Sequence, residues 1–293
     1  MTWQVANRIA SIAAAQAHGQ LGIDSKSLPI QVSDAIAKAD VTLMWQRLPA
    51  LFGVYVKGCG DRPGILVNSK MTRSARRHTA AHELGHHQLG HASSVESGSN
   101  IGDSCNPASR GSNWSPPERA AEAFASWFLM PRLGVVKLLG ELGIKRLASA
   151  DQAYQLSLHM GTAYASTVRH LGSLRLISHQ QSQEWARVPP SAFKKKIYSG
   201  TLDSTQDVDV WHLGRGKGRT LYASPGDLIC IPTTGSRTHL EGDLQIEVED
   251  TDCNFVRCMT GISDGFGTIT TDDGVITSVV IEARPQGLFI ATP

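Results

Sequence analysis

The chain has 293 residues, of which 41% are hydrophobic, 18% charged and 6% aromatic, and it carries a formal net charge of +2. That length allows two or three domains, and the composition is that of an ordinary globular protein rather than a disordered or fibrous one. The small net charge falls well short of the concentrated basic surface that backbone-driven nucleic-acid binding usually requires, and by itself it predicts no partner.

In chain order, the spacing of apolar residues predicts an amphipathic helix over about Val5 to Ala17 and a second over Val32 to Ala39. The first is Ala-rich and interrupted by Gln16 and His18, so it does not read as a signal peptide. Extended stretches follow at VTLMW and LFGVYV, then a strand at GILVN after Pro63. A helix over about Arg73 to Gly90 comes next, and RSARRHTAAHELGHHQLGH holds five histidines. A loop rich in Ser, Gly and Asn leads to Ser115, Pro116 and Pro117, which open a helix through ERAAEAFASWFLM that Pro131 ends. Two more helical stretches, GVVKLLGELG and LASADQAYQLSLHMGTAYASTVRHLG, follow, the latter broken near Gly161.

Beyond about Val188, Pro189 and Pro190 the pattern changes to short Val, Ile and Thr runs between Gly, Asp and Pro, which predicts an all-β module. Asp272, Asp273 and Gly274 read as one of its turns. The fold class expected is therefore α+β, with residues 1–140, 141–187 and 188–293 as successive units. The basic run Lys194 to Lys196 reads as a solvated strand or linker edge. No apolar run approaches the ~18 residues a membrane span needs. Five cysteines (Cys59, Cys105, Cys230, Cys253 and Cys258) form no C-x-x-C pair, which fits a reducing compartment and a cytoplasmic protein.

HELGH places His82 and His86 at i and i+4, so on a helix both imidazoles leave one face and can meet a single Zn2+. Glu83 lies beside them, displaced around the helix, where it can take a proton from the water that attacks a peptide carbonyl. Catalytic zinc usually has three protein ligands. Glu118 and Glu122, i and i+4 on the helix after the loop, are the candidates: one carboxylate can ligate while the other supports a ligand imidazole. The competing reading of Ser115-Pro-Pro-Glu118 is a capping box, in which Glu118 satisfies only backbone N–H.

The three ordered stretches GILVN, RHTAAHELGHHQLGH and ERAAEAFASWFLMP together resemble the ImmA/IrrE family of zinc metallopeptidases. The resemblance covers about residues 64 to 131, and QAYQLSLHMGTAYASTVRHLGSLRLIS is similar to the helix-turn-helix-like segment that often follows in the family. It implies a zincin-like, gluzincin-type arrangement with His82, His86 and Glu118 as ligands and Glu83 as general base. Glu122 stands where the family often has Asn; in thermolysin-like peptidases an acidic residue so placed orients a histidine. The implied substrate is a helix-turn-helix transcriptional repressor, whose cleavage switches on stress-response or mobile-element genes.

Peptide hydrolysis also needs a donor to the developing oxyanion, for which Tyr154, His159, Tyr164 and His170 are candidates. His78, His87 and His91 read as bystanders. Near its second helix the segment LSLHMGTAYASTVRHL offers only Arg169 and His170 for base reading, which favours a structural or substrate-docking role. Two further readings compete with the enzyme: a peptidase-like module that sequesters a regulator without cutting it, and a direct DNA-binding regulator through residues 150–178.

Overall fold

The computed structural model describes residues 1–291 except 59–60, 98–113, 203, 205, 215–217, 233–237, 251, 260, 262 and 272–273. Cys59, Cys105, Asp272 and Asp273 thus lie outside the described residues, as does most of the Ser/Gly/Asn-rich loop.

Helices α1 (Trp3–Gln20) and α2 (Val32–Lys38) precede strands β1 (Thr42–Gln46), β2 (Leu51–Val56) and β3 (Gly64–Asn68). Helix α3 (Arg73–Gln88) follows, then the short strand β4 (Ser94–Ser97). Next come α4 (Pro116–Leu129), α5 (Arg132–Glu141), α6 (Ala150–Met160), α7 (Tyr164–Ser173), α8 (His179–Trp185) and α9 (Pro190–Ile197). Strands β5 (Val210–His212), β6 (Thr220–Ala223), β7 (Leu228–Pro232), β8 (Thr238–Gly242), β9 (Leu244–Glu249), β10 (Cys253–Cys258), β11 (Gly265–Thr271), β12 (Ile276–Ile281) and β13 (Gly287–Leu288) complete the chain. Mixed helices and sheets make this an α+β protein.

The first sheet has the order β13-β1-β3-β2-β4. Strands β1 and β3 run parallel, from Thr42 opposite Gly64 to Gln46 opposite Asn68, whereas β2 is antiparallel to both β3 and β4. Its inner face, with Leu43, Trp45, Tyr55, Ile65 and Val67 buried, rests on α3. Against the other side of α3 packs α4, and α1 lies against α4. Helix α1 buries its small residues, Ala6, Ala10, Ala14 and Ala17, and leaves Val5, Ile9 and Ile12 exposed. An alanine ridge lets two helix backbones approach closely, so the packing here selects small side chains over large apolar ones.

The last nine strands do not form a free-standing unit. Two four-stranded sheets, β5-β7-β10-β9 and β6-β12-β11-β8, take eight of them, and the ninth, β13, crosses to the first sheet and pairs antiparallel with β1, Met44 opposite Leu288 and Trp45 opposite Gly287. One core cluster runs from Leu84 and Phe124 through Trp211, Leu221 and Val279. Arg73, in the first turn of α3, forms an ion pair with Glu282 and lies 6.0 Å from the ring of Tyr222. Tyr154 of α6 donates to Asp209 at 3.0 Å, and Gln155 bonds both Val210 and His212 of β5.

Two local features differ from the sequence reading, and a third gives an expected helix break its cause. The run at Lys194–Lys196 is helical, and Lys194 is buried, with its ammonium 2.9 Å from Asp209 and donating to the Val208 carbonyl at 2.7 Å. An apolar stretch, Pro116–Glu141, does reach the length and hydropathy of a span, but it is two helices broken at Pro131 and mostly buried. The break near Gly161 is a left-handed helix cap at φ +63°, and a Cβ there would meet Arg77 Nε at 2.7 Å, so both backbone and space demand glycine.

Candidate metal centre

Helix α3 starts where Thr72 accepts from the Ala75 N–H, and its buried face runs from Arg76 to His86. Two guanidiniums sit in that buried face: Arg77 donates to the carbonyls of Gly161 and Ile30, and Arg76 to that of Met71 at 2.8 Å. Burial pushes Arg76 and Arg77 down, to about 10 and about 9, so both stay charged near neutrality. Helix α4 starts at Ser115, whose hydroxyl accepts from Glu118 N–H at 3.5 Å. The Glu118 carboxylate does not close a capping box; it turns to His82 and His86.

What brings the two helices together is Gly85, the glycine inside HELGH. A Cβ on it would lie 2.9 Å from Phe124 Cδ1 and 3.2 Å from Ala121 Cα, closer than carbon atoms pack. The backbones therefore meet one turn from Glu118, and the carboxylate reaches the histidines across the seam.

His82 Nε2 lies 3.1 Å from His86 Nε2 and 3.1 Å from Glu118 Oε2, while His86 Nε2 lies 3.5 Å from Glu118 Oε1. One ligand atom from each residue falls within 4.8 Å of the others. A tetrahedral zinc with ligand bonds of about 2 Å has edges of roughly 3.3 Å between donors, so the spacing and the N, N, O donor set both fit zinc. Two imidazole nitrogens also do not approach each other this way for mutual benefit unless a cation or proton sits between them. Burial pushes the Glu118 carboxyl up, but hydrogen bonds and charge from His82 and His86 outweigh it and hold it below the usual range, as an anion.

Partners stand behind each imidazole. His91 Nδ1 is 3.1 Å from His86 Nδ1; burial, together with the charge of His86, lowers the His91 pKa, which favours the neutral ring and leaves a nitrogen able to accept a hydrogen bond from its neighbour. Glu122 Oε2 lies 3.5 Å from His82 Nδ1 and 2.9 Å from His78 Nε2. Tyr55 stacks on His86 with ring centroids 6.4 Å apart, and its hydroxyl bonds His87 Nδ1 at 3.2 Å. Such contacts fix tautomer and ring orientation. His78, His87 and His91, bystanders in the sequence reading, thus lie around the constellation; their signals were the local density of histidine, the face His78 shares with His82, and the i, i+4 spacing of His87 and His91.

Glu83 is fully buried beneath β2, where a Cβ on Gly53 would come within 2.7 Å of its Oε1. Ser94, at the start of edge strand β4, donates to Glu83 Oε2 at 3.2 Å. Neither Gly53 nor Ser94 carries a pattern that sequence could flag.

Residues 45–139 match the model of the IrrE N-terminal-like domain, a peptidase family. This segment belongs to the IrrE N-terminal-like family. The matched span runs from the end of β1 to within α5, so the IrrE N-terminal-like domain contains His82, Glu83, His86, Glu118 and Glu122. The family is one of metallopeptidases, which implies a protein substrate. No curated protein matches the chain. Among solved structures, the crystal structure of a cysteine protease inhibitor from Entamoeba histolytica is similar to 26% of this chain and 97% of its own, at 16% identity and a TM-score of 0.20, an extent that carries no argument.

The four residues considered as oxyanion donors are committed elsewhere. Tyr154 is buried against Phe193 and bonds Asp209, and Tyr164 donates to the Trp185 carbonyl at 2.8 Å. His170 bonds the Met130 carbonyl at 3.0 Å, and His159 packs edge-on against Trp211. Burial pushes the last two down, to about 4 and about 3, so both are neutral near pH 7.

Proposed function

We propose that the chain is a zinc-dependent endopeptidase of zincin-like architecture, with His82, His86 and Glu118 as ligands and Glu83 as general base. The observation that carries this is the convergence of two Nε2 atoms and one carboxylate within 4.8 Å, on helices held together at Gly85. Bound zinc would act there as a Lewis acid that polarises the scissile carbonyl. For His82 and His86 to offer Nε2 lone pairs, their Nδ1 atoms must carry the protons, and Glu122 and His91 lie on the Nδ1 side, where they can accept hydrogen bonds from those N–H groups. Ser94 orients Glu83 through Oε2, and Glu83 takes the proton of the attacking water and passes it to the leaving nitrogen.

The substrate we propose is a helix-turn-helix transcriptional repressor in the cytoplasm, whose cleavage derepresses stress-response or mobile-element genes. Residues 141–187, with two helices around the Gly161 turn, serve packing and substrate docking in this reading. The second of them, α7, buries Tyr164, Thr167, Val168, His170 and Leu171, which leaves little for reading bases. Residues 188–293 act as a sensor or docking module.

The test is metal content and cleavage. Purified protein should hold about one zinc per chain, and Glu83→Gln should keep the zinc while losing cleavage of the repressor. A fully active Glu83→Gln protein would falsify the mechanism. Recovery of an intact, bound repressor after long incubation with the zinc-loaded wild type would instead favour sequestration without cutting.

A further inference from the structure

The run from Thr238 to Glu249 belongs to both C-terminal sheets. Its first half, β8, pairs with β11, and its second half, β9, pairs with β10. The chain passes from one sheet to the other at Gly242, whose φ is +76° and where a Cβ would strike the Phe266 carbonyl. In each sheet this is the last strand, so one side of the whole run has no partner strand among the described residues. The far edge of the sheet that holds β9 is closed instead: Gln155 of α6 donates to the Val210 carbonyl at 3.0 Å and accepts from the His212 N–H at 2.8 Å. Along β9 every residue from Gln245 to Glu249 is exposed, Ile246 at 40% and Val248 at 39%. A strand open along one edge and exposed on both faces offers backbone N–H and C=O groups to an added strand.

The charge of the run says what can add there. From Glu241 to Asp252 the sequence holds Glu241, Asp243, Glu247, Glu249, Asp250 and Asp252, and no Lys or Arg. Some of these are engaged: Glu247 accepts two hydrogen bonds from Arg257 of β10, both at 2.8 Å, Glu241 bonds His239, and Asp243 accepts from the Phe266 N–H. Of these partners only the guanidinium is a permanent cation, so hydrogen bonding leaves the charge of Glu241 and Asp243 in place. A second copy of the edge would set carboxylates against carboxylates, which destabilises a strand pair. Nucleic acid phosphates would meet the same repulsion. What fits is an extended polypeptide in which Lys or Arg alternates with apolar residues. Its backbone pairs with the open edge, its cations lie beside the carboxylates, and its apolar side chains cover Ile246 and Val248.

We propose that the edge formed by β8 and β9 docks an extended basic segment of a partner protein, which adds to the sheet as a further strand. The docking stands on this edge and not on the metal reading of His82, His86 and Glu118.

The probe is a capped octapeptide in which lysine and valine alternate, titrated by calorimetry into the full chain. One site with a Kd below about 1 mM is expected, and hydrogen exchange should slow at the amides of Gln245 to Glu249. The same peptide N-methylated at every residue keeps the charge but has no backbone donors, and it should bind at least about tenfold more weakly. Glu249→Lys combined with Asp252→Lys should weaken the peptide about tenfold or more, whereas the equal charge change in Glu141→Lys combined with Glu184→Lys should leave it as tight as in the wild type; Ile246→Lys replaces the edge variant if that protein melts early. No binding by the wild type, equal binding of the methylated peptide, an edge variant as tight as the wild type, or slowed exchange only outside β8 and β9 overturns the docking edge. The titration is repeated with and without zinc. A chain that binds the peptide but takes up no zinc loses the metal reading and keeps the docking edge, and a chain that holds zinc but ignores the peptide does the reverse.

Discussion

Replacing Gly85 by alanine adds one methyl group at the seam between α3 and α4. Its Cβ would stand 2.9 Å from Phe124 Cδ1, 3.2 Å from Phe124 Cβ and 3.2 Å from Ala121 Cα. The Phe124 ring could swing, but the Ala121 backbone cannot, so the helices must separate by several tenths of an ångström. Overpacking of this kind costs about 1–3 kcal/mol, while replacing a helical glycine by alanine returns about 1 kcal/mol. The net expectation is a loss of about 1 kcal/mol, seen as a lower midpoint in urea denaturation of the metal-free protein. Gly140 in α5 is the control, because a Cβ there meets nothing within 4 Å, and Gly140→Ala should gain up to about 1 kcal/mol. The second readout is zinc affinity. Ala121 lies one turn from Glu118, so the separation moves the carboxylate away from His82 and His86, and affinity should fall about tenfold or more, as displaced supporting geometry does at metal sites. If Gly85→Ala is as stabilising as Gly140→Ala and holds zinc as tightly as the wild type, the account of how this glycine builds the site is wrong.

Two further expectations concern histidines on either side of the metal centre. His91→Ala removes the partner of His86 Nδ1 and should weaken zinc binding about 10-fold to 100-fold with little change in the melting of the metal-free protein; unchanged zinc affinity would show that the 3.1 Å contact does not orient His86. His170 is neutral when folded, its pKa pushed down to about 4 by burial, against 6.5 when unfolded. The unfolded chain therefore binds the extra proton, and stability present above pH 6.5 is lost as pH falls toward 4, at up to about 1.4 kcal/mol per pH unit. His170→Gln should flatten the stability curve in that window relative to the wild type, and parallel curves would mean that His170 is protonated in the folded state.

Much of the site was legible because HELGH and the E-x-x-x-E of α4 are local patterns with one geometric meaning: on helices, i and i+4 share a face. The contacts among His82, His86 and Glu118 follow from that spacing once the helices dock. The docking itself was not legible as a cause, since Gly85 reads as an unremarked residue until Phe124 and Ala121 stand against it. The same holds for Lys194. As one of three consecutive lysines it reads as solvated, but on α9 the three residues face three directions, and the inward one meets Asp209 and the Val208 carbonyl. The helices at 179–185 and 190–197 went unread because each is too short to show a period. The strands from β5 to β12 were mostly readable from their apolar runs, whereas β4 and β8, with Ser, Glu, Thr and Gly, were not.

The pairing of β13 with β1 sets an order on synthesis. At about 5–20 residues per second, the ribosome delivers Gly287 and Leu288, roughly 240 residues after their partners, some 10–50 s later. Throughout that interval the edge of β1 lacks its partner strand, and such an edge is a template for any other strand. Until the C-terminal strand is made, the sheet beneath the helix that bears His82 and His86 cannot close on that side, and a chaperone that covers exposed strands would have that edge to protect.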